Sequence, residues 1–228
     1  MRSIIIIISL IFCTVVYSKE IVVSHLIERN GLSYQANATK PFSGKRITRW
    51  KSNNKKKLEV SYINGLTHGK VTQWHENGNT NSIRYFHNKK VIGLLTAWYS
   101  DGQLMGKAQH DKNGNQNGIS TYWGKNGQKI HEEYYKNDKK HGKMTRWYKN
   151  GQKQYETNYK NGKRSGLSIT WYENGQKKYE TNYKNNKRNG LSIIWFENGQ
   201  KMTETFYKYG KKTGKGRSWY ENGERFYN

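Results

Sequence analysis

The sequence contains a single cysteine, Cys13, and a single proline, Pro41. Cys13 lies in the apolar N-terminal stretch, so a chain that has lost this stretch contains no cysteine. Disulfide bonds, zinc–thiolate sites and a cysteine nucleophile are then excluded together. Hydrophobic residues are also scarce, at 33% of the chain, and this scarcity argues against a thick two-layer core.

Aromatic residues, by contrast, are abundant. They make up 14% of the chain, with 18 Tyr and 8 Trp against 6 Phe. Disordered chains are depleted in such side chains, so the composition indicates a folded protein. Tyrosine and tryptophan suit positions where one ring face is buried and the polar tip reaches water. The composition therefore predicts a folded protein with a thin core.

Residues 1–18 have the pattern of a secretory signal peptide. Arg2 is followed by an apolar run from Ile4 to Tyr17 and by the small residue Ser18. We expect cleavage near Ser18 and export to the periplasm, the cell surface or the medium. An uncleaved membrane anchor is the alternative, but about 14 apolar residues fall short of the ~20 that span a bilayer. A lipoprotein would carry its lipid on Cys13. The residue before that cysteine should then be small, but here it is the bulky Phe12.

The tryptophans reveal a repeat of 24 residues. The interval is 24 from Trp50 to Trp98 and again from Trp123 to Trp219, with one gap of 25 between the two sets. The extra residue falls within the stretch "QLMGKAQHDKN". Such a period indicates a repeat protein with no separate domain. We expect lead-in strands over residues 19–37 and the array over 38–228, with this structural core: Trp50, Trp74, Trp98, Trp123, Trp147, Trp171, Trp195 and Trp219.

Each copy reads as two strands and two turns. Asn-Gly pairs such as Asn174-Gly175 and Asn161-Gly162 are typical of tight type I′ hairpin turns. Between the turns, Leu167, Ile169 and Trp171 alternate with polar residues, which is the period of a β-strand. The sequence predicts an all-β fold, an extended antiparallel meander of about eight β-hairpin repeats in a single twisted layer. We expect the tryptophan and aliphatic side to form its thin core.

The segment "YKNGKRSGLSITWYENGQKKYE" resembles the MORN-repeat variant common in bacterial proteins, and "ATKPFSGKRITRW" resembles the start of such arrays. The resemblance covers about residues 38–227 and implies β-hairpin repeats in an extended sheet. Parent repeats are linked to phospholipid binding and scaffolding, and bacterial variants are labelled antitoxin-like or lipid kinases. A kinase needs a phosphate-binding loop and acidic metal ligands, which the sequence lacks. An antitoxin role conflicts with export.

Positive charge is concentrated at one of the two turns. The chain has 41 Lys and Arg against 16 Asp and Glu, a formal charge of +25. In a meander the cations of the second turn line one long edge, which predicts binding to an anionic membrane surface or an acidic polymer. The candidate residues are Lys136, Lys139, Lys140, Lys160, Lys163, Arg164, Lys184, Lys187, Arg188, Lys208, Lys211 and Lys212.

Two other interpretations of this surface stay open. Lysine-rich turns are also ordinary solvated surface that keeps a long sheet from aggregating. An antitoxin-like or immunity-like protein would instead bind a protein partner through an exposed tyrosine face, with the charge incidental.

We expect no catalytic, metal or cofactor site. The seven histidines are scattered over different repeat positions, with no recurring carboxylate at ligand spacing. Glutamates recur at one strand position, where the simplest role is pairing with lysines across strands: Glu132, Glu156, Glu180 and Glu204. A catalytic carboxylate pair would be unique and set in a pocket. The sequence therefore predicts a non-enzyme without a small-molecule substrate.

Overall fold

The protein is all-β over the part of the chain that the structure describes. The computed structural model describes residues 21–226, and this part contains strands and turns but no helix. The predicted signal peptide over residues 1–18 lies outside the described residues.

The strands are short and follow one another in regular order. Three precede the array: β1 (Val22–Val23), β2 (Ile27–Arg29) and β3 (Leu32–Tyr34). The first half of the array contains β4 (Gly44–Arg49), β5 (Lys56–Ile63), β6 (Leu66–Trp74), β7 (Thr80–His87), β8 (Lys90–Trp98), β9 (Leu104–His110) and β10 (Gln116–Trp123). The second half contains β11 (Lys129–Lys136), β12 (Lys139–Trp147), β13 (Lys153–Lys160), β14 (Lys163–Trp171), β15 (Lys177–Lys184), β16 (Lys187–Trp195), β17 (Lys201–Lys208), β18 (Lys211–Trp219) and β19 (Arg225–Phe226).

Seventeen of these strands form one sheet. From β4 to β19 each strand pairs antiparallel with the next one along the chain. β1 adds to the N-terminal edge by pairing parallel with β4, and β2 and β3 form a separate hairpin. The predicted extended hairpin meander is confirmed.

The second turn of each repeat is the tight hairpin turn expected from the sequence. Both central residues have positive φ, as type I′ requires: 50° and 80° at Asn161 and Gly162, 51° and 66° at Asn185 and Asn186. The connection between β9 and β10 differs, because Asp111 N–H donates to the Asn115 carbonyl oxygen at 2.9 Å across a three-residue loop. This longer loop accommodates the extra residue of the irregular copy.

The first turn is of another type than expected. Gly175 has a φ of 88°, while Asn174 before it stays in the negative region. Gly175 N–H donates to the Tyr172 carbonyl oxygen at 3.0 Å, and Tyr172 N–H donates to that of Gln176 at 2.8 Å. This is a type I turn closed by a glycine bulge. It differs from type I′ because the Asn174 side chain accepts the Gln176 N–H at 2.9 Å and favours negative φ at the asparagine.

Side chains of the first turns join neighbouring repeats. The Tyr148 hydroxyl donates to the Trp171 carbonyl oxygen at 2.7 Å, in the next copy. The amide of Asn174 likewise donates to the Glu197 carbonyl oxygen at 2.9 Å. The turn after β10 forms neither link, because Gly124 replaces the tyrosine and the amide of Asn126 donates within its own turn to Gln128 at 3.2 Å.

A glycine bulge recurs inside the strands that follow the second turn. The pairing of β13 with β14 passes from Thr157 opposite Ser168 directly to Tyr159 opposite Arg164, so three residues of β14 face one of β13. The middle of these three is Gly166, with a φ of 87°. Bulges of this kind bend a strand. Repeated along the array, they bend the sheet along one line.

Most of the residues that are buried from water lie on one side of this bent sheet, which we call the groove face, whereas Thr72, Thr121 and Thr145 are buried on the other side. A row of small hydroxyl residues crosses the middle of the groove face, each opposite the next, and it is almost completely buried: Thr157, Ser168, Thr181 and Ser192 are 0%, 2%, 0% and 4% exposed. We call this line of residues the central row. Tyrosines such as Tyr155 and Tyr159 flank it on the same face.

Seven of the tryptophans lie on the opposite side of the sheet, which we call the Trp face. Trp50 is the exception to the predicted register, because β4 ends at Arg49 and Trp50 N–H donates to the Lys55 carbonyl oxygen at 2.9 Å, as Tyr172 N–H does in its own turn. All eight tryptophans are half-buried, and none belongs to the buried set. The buried core thus differs from the expected tryptophan and aliphatic core. The physical reason is side-chain size. The small residues of the central row are covered by the larger tyrosine rings beside them, whereas a tryptophan ring extends further from the sheet and keeps part of its surface in water.

A hydrophobic core cluster is found at the N-terminal end. Phe42 packs on Val60, Tyr62 and Val71, all 9% exposed or less. The segment before β4 is fixed there by backbone hydrogen bonds, such as that from Gly65 N–H to the Phe42 carbonyl oxygen at 2.7 Å. At this end of the sheet, the segment that contains Phe42 covers part of the groove face as a second layer.

Candidate anion-binding edge

Pairs of lysines flank the type I′ turns of the C-terminal half. In each pair, the residue before the turn lies directly opposite the residue after it, and both are exposed. We call these eight residues the lysine edge: Lys136 and Lys139, Lys160 and Lys163, Lys184 and Lys187, Lys208 and Lys211. Since successive turns of this kind are two strands apart, the pairs repeat about every 9.6 Å along one long edge of the sheet.

The charge of the lysine edge is not neutralised within residues 21–226. No carboxylate of this part of the chain lies within 4.0 Å of any of the eight ammonium groups. Like charges directly opposite each other on neighbouring strands are destabilising. The edge therefore combines exposed positive charge with internal repulsion that an anion would relieve.

The other four predicted residues are placed differently. The Arg164 and Arg188 guanidinium carbons lie 4.1 and 4.2 Å from the ring centres of Tyr183 and Tyr207, in the following repeat. Lys140 is engaged with a glutamate, whereas Lys212 is exposed. Cation–π contacts of this kind fix a basic side chain over a ring. Arg164 and Arg188 thus help to join repeats, and the lysine edge is the freer part of the predicted set.

A second set of lysines bridges tryptophans and glutamates on the Trp face. Lys177 Nζ lies 2.6 Å from Glu180 Oε2 and 5.5 Å from the ring centre of Trp195. The same arrangement recurs at Lys56, Lys129, Lys153 and Lys201. The predicted role of the glutamates as lysine partners is thus observed. The main partner, however, lies three residues earlier on the same strand, because a bulge at Lys178 shifts the register.

Exposed apolar side chains adjoin the lysine edge on the Trp face. Tyr134 and Phe206 precede Lys136 and Lys208 by two positions, so they share a face of their strands, and they are 41% and 53% exposed. Ile119, opposite Tyr134, is 50% exposed. Tyrosines of the regular repeats are instead half-buried on the groove face. The exposed aromatic surface therefore differs from the expected tyrosine face.

One glutamate interrupts the central row. Glu133 is 6% exposed and lies where the later copies have threonine. The Tyr135 hydroxyl donates to its Oε1 at 2.7 Å, while Lys140 Nζ and His131 Nε2 lie 2.6 and 3.4 Å from its Oε2. Sequence reasoning missed this cluster, although Glu132-Glu133 in place of the Glu-Thr of later copies was a visible signal.

Burial and pairing oppose each other at this cluster. Burial acts to raise the pKa of Glu133, but hydrogen bonds from Lys140 and Tyr135 outweigh burial and hold the pKa below its usual value. Burial lowers the pKa of His131, and the charge of Glu133 opposes this only in part. At neutral pH the cluster thus holds an ionised glutamate and a neutral histidine. With three partners around a buried carboxylate, it is a structural ion pair.

No group of three or more His, Cys, Asp or Glu side chains within residues 21–226 is arranged to hold a metal ion. That part of the chain also contains no helix of the length and apolar character needed to cross a membrane.

Comparison with known families supports the repeat assignment. The MORN repeat variant family matches four segments: residues 67–88, 140–161, 164–185 and 188–209. Each runs from the strand after a type I′ turn, through the tryptophan and the first turn, to the next type I′ turn. No curated protein matches the chain. Repeats of this family indicate a binding role built on an extended regular surface.

Proposed function

We propose that this protein is an exported, non-catalytic repeat protein that binds anionic membrane surfaces through the lysine edge. The observation that carries the proposal is the set of four unneutralised lysine pairs at one edge of the sheet. A lysine near an anionic membrane contributes roughly 1 kcal/mol. Eight of them on a rigid edge suffice for firm but reversible attachment.

The spacing of the pairs favours an extended partner. The interval of about 9.6 Å between pairs is close to the Debye length of ~8 Å at physiological salt. A small anion is therefore attracted by one pair at a time, whereas a continuous anionic surface engages all four. Lysine gives loose electrostatic attraction, without the bidentate geometry that arginine would impose.

The apolar side chains beside the lysine edge support a membrane over a soluble polymer. Aromatic residues are favoured at the boundary between headgroups and acyl chains. Tyr134 and Phe206 are exposed next to the lysines, so lysines and rings can contact headgroups and the interface together. An acidic polymer would use the lysines but gain little from the rings.

Sedimentation with liposomes tests the proposal. We expect the chain without residues 1–18 to sediment with anionic but not with neutral liposomes, and high salt to release it. Changing Lys160, Lys163, Lys184 and Lys187 to Gln should abolish most binding. The matched control changes four exposed lysines away from the edge: Lys51, Lys70, Lys125 and Lys149. Equal loss in both variants would show that only net charge matters.

A variant of the apolar residues separates a membrane from a polymer. Changing Tyr134 and Phe206 to Ser should weaken liposome binding severalfold and leave binding to soluble heparin, an acidic polymer, unchanged. Stronger binding to heparin than to liposomes, unaffected by the Ser changes, would contradict the membrane assignment.

A protein partner is the second candidate function. The exposed rings of Tyr85, Tyr134 and Phe206, which are 44%, 41% and 53% exposed, favour it, because aromatic residues are enriched in protein interfaces. Such an interface would survive high salt, whereas lysine-edge binding would not.

A further inference from the structure

The groove face over strands β4 to β7 differs from the rest of the array. Over β13 to β16 the central row consists of serine and threonine. Over β4 to β7 it runs Arg46, Val60, Val71, Arg84, each residue lying opposite the next on neighbouring strands. Two arginines thus flank a floor of two buried valines.

A recess of about 360 Å³ opens over this floor. Leu58, Tyr62 and Phe86 contribute apolar walls, and none of the described residues that line it is acidic. Its floor and one wall belong to the hydrophobic cluster around Phe42, so the recess is backed by packed side chains. Its volume falls in the range of about 300–1,000 Å³ typical of small-ligand sites.

The two arginines have hydrogen-bonding capacity left over. Within residues 21–226 neither guanidinium lies within 4.0 Å of a carboxylate, and the Nε atom of each is buried without a partner. Arg84 uses one terminal nitrogen for Gln73 and Ser82, at 3.1 and 3.3 Å. Buried donors without acceptors are unfavourable, and a ligand that supplies acceptors removes this cost.

We propose that this recess binds a carboxylate attached to a short apolar body. The planar guanidinium fork matches the two oxygens of a carboxylate. With the carboxylate on an arginine, the apolar part of the ligand lies over Val60 and Val71. Fatty acids and the C-terminal residues of apolar peptides share this chemistry. The site does not depend on the proposed lysine edge, which lies in the other half of the array.

Calorimetric titration of the chain without residues 1–18 with sodium octanoate tests this site. Octanoate should bind at least about tenfold more tightly than octanamide, which lacks the charge, and than acetate, which lacks the apolar body. A short peptide ending in two leucines, with free and amidated C-termini, distinguishes a peptide source from a fatty acid. Binding of octanamide as tight as that of octanoate would overturn the proposal, as would tighter binding of octyl phosphate.

Variants locate the binding. The double change Arg46→Gln and Arg84→Gln should weaken octanoate binding at least about tenfold. The matched control, Lys51→Gln with Lys70→Gln, removes the same charge from the same N-terminal part of the array outside the recess and should leave binding unchanged. Equal weakening in both variants would overturn the assignment.

A conservative variant covers the case in which the double variant fails to fold. Arg84→Lys keeps the charge and loses the fork, so it should weaken octanoate binding while melting at the wild-type temperature. Unchanged octanoate binding in this folded variant would overturn the role of the Arg84 fork. The Gln variant of the lysine edge should bind octanoate normally, which separates this proposal from the proposed membrane function.

Discussion

The hydroxyl group of Tyr172 donates a hydrogen bond of 2.9 Å to the backbone carbonyl oxygen of Trp195, one repeat further along the chain. The two residues are 23 positions apart, yet the bond connects two adjacent first turns. In the next copy Phe196 replaces the tyrosine, so the sequence itself contains the variant that lacks the hydroxyl.

This pair gives a prediction with an internal control. Tyr172→Phe should lower the free energy of unfolding by about 1 kcal/mol, since a half-buried hydrogen bond is lost without loss of ring packing. Phe196→Tyr should raise it by up to a similar amount by adding a donor beside Trp219. Urea unfolding of both variants measures the changes. Equal destabilisation by the two substitutions would contradict the assigned role of the hydroxyl.

The lysine between Glu180 and Trp195 should contribute modestly to stability. We expect Lys177→Met to destabilise the protein by about 0.5–1 kcal/mol, because a partly exposed ion pair and a cation–π contact are lost together. The effect should shrink at high salt, which screens the ion pair. Urea midpoints at low and high salt test this, with exposed Lys149→Met as the control. A loss that is independent of salt would indicate packing of the lysine stem instead.

The opposed lysines of the edge should destabilise the fold. Lys160→Glu places a carboxylate opposite Lys163 and should stabilise the protein by up to about 1 kcal/mol at low salt. The same change should weaken binding to anionic liposomes. Lys160→Gln, which only removes the repulsion, should lie between wild type and Lys160→Glu in both measurements. Thermal melting without liposomes and sedimentation with them give the two readouts.

The Glu133 cluster should make stability depend on pH. The folded-state pKa values of Glu133 and His131 are both lowered, so the unfolded chain binds their protons more readily. Stability is therefore complete above the unfolded pKa of His131, about 6.5, and declines as pH falls through the histidine range and then below about 4.5.

Replacing the glutamate by the threonine of the later repeats tests the carboxyl part of this effect. Glu133→Thr should flatten the fall in urea midpoint below about pH 4.5, since the depressed carboxyl pKa is removed. It should not flatten the decline in the histidine range, because the Glu133 charge that raises the His131 pKa is lost with it. His131→Gln should remove only the upper part of the decline. An unchanged pH profile in Glu133→Thr would mean that other carboxylates, such as Glu59 and Glu156 with their lowered pKa values, dominate acid sensitivity.

The period, the strands and their meander could be predicted from the sequence because they depend on local signals that recur. Trp171 to Trp195 gives the repeat length, and Asn161-Gly162 gives the tight turn. The type of the first turn could not be predicted, because its Asn174-Gly175 is the same dipeptide as Asn161-Gly162 of the second turn. The two turns differ in the hydrogen bond that the Asn174 side chain accepts from the Gln176 N–H.

The faces of the sheet were harder to predict. Alternation shows that Thr157 shares a face with Tyr155 and Tyr159, but not that these rings close over the threonine. Hydrophobicity alone favoured the tryptophan side as the core. The glycine bulges that bend the sheet were not recognised, since a glycine such as Gly166 reads equally well as an ordinary strand residue. The recess at Arg46 and Arg84 occurs in one part of the array only, so the repeat pattern does not predict it.

The turn at Gly124 and Asn126 lacks both side-chain links to the next copy, so these two copies are held together by strand pairing with less support from side chains. The side-chain hydrogen bonds between the other first turns each join one copy to the next copy only. The stability of the array therefore depends on interactions between nearest-neighbour repeats. A weaker coupling at one position lets the two flanking blocks open separately. Residues 44–136, which contain the arginine recess, and residues 139–226, which contain most of the lysine edge, would then melt as distinct cooperative units.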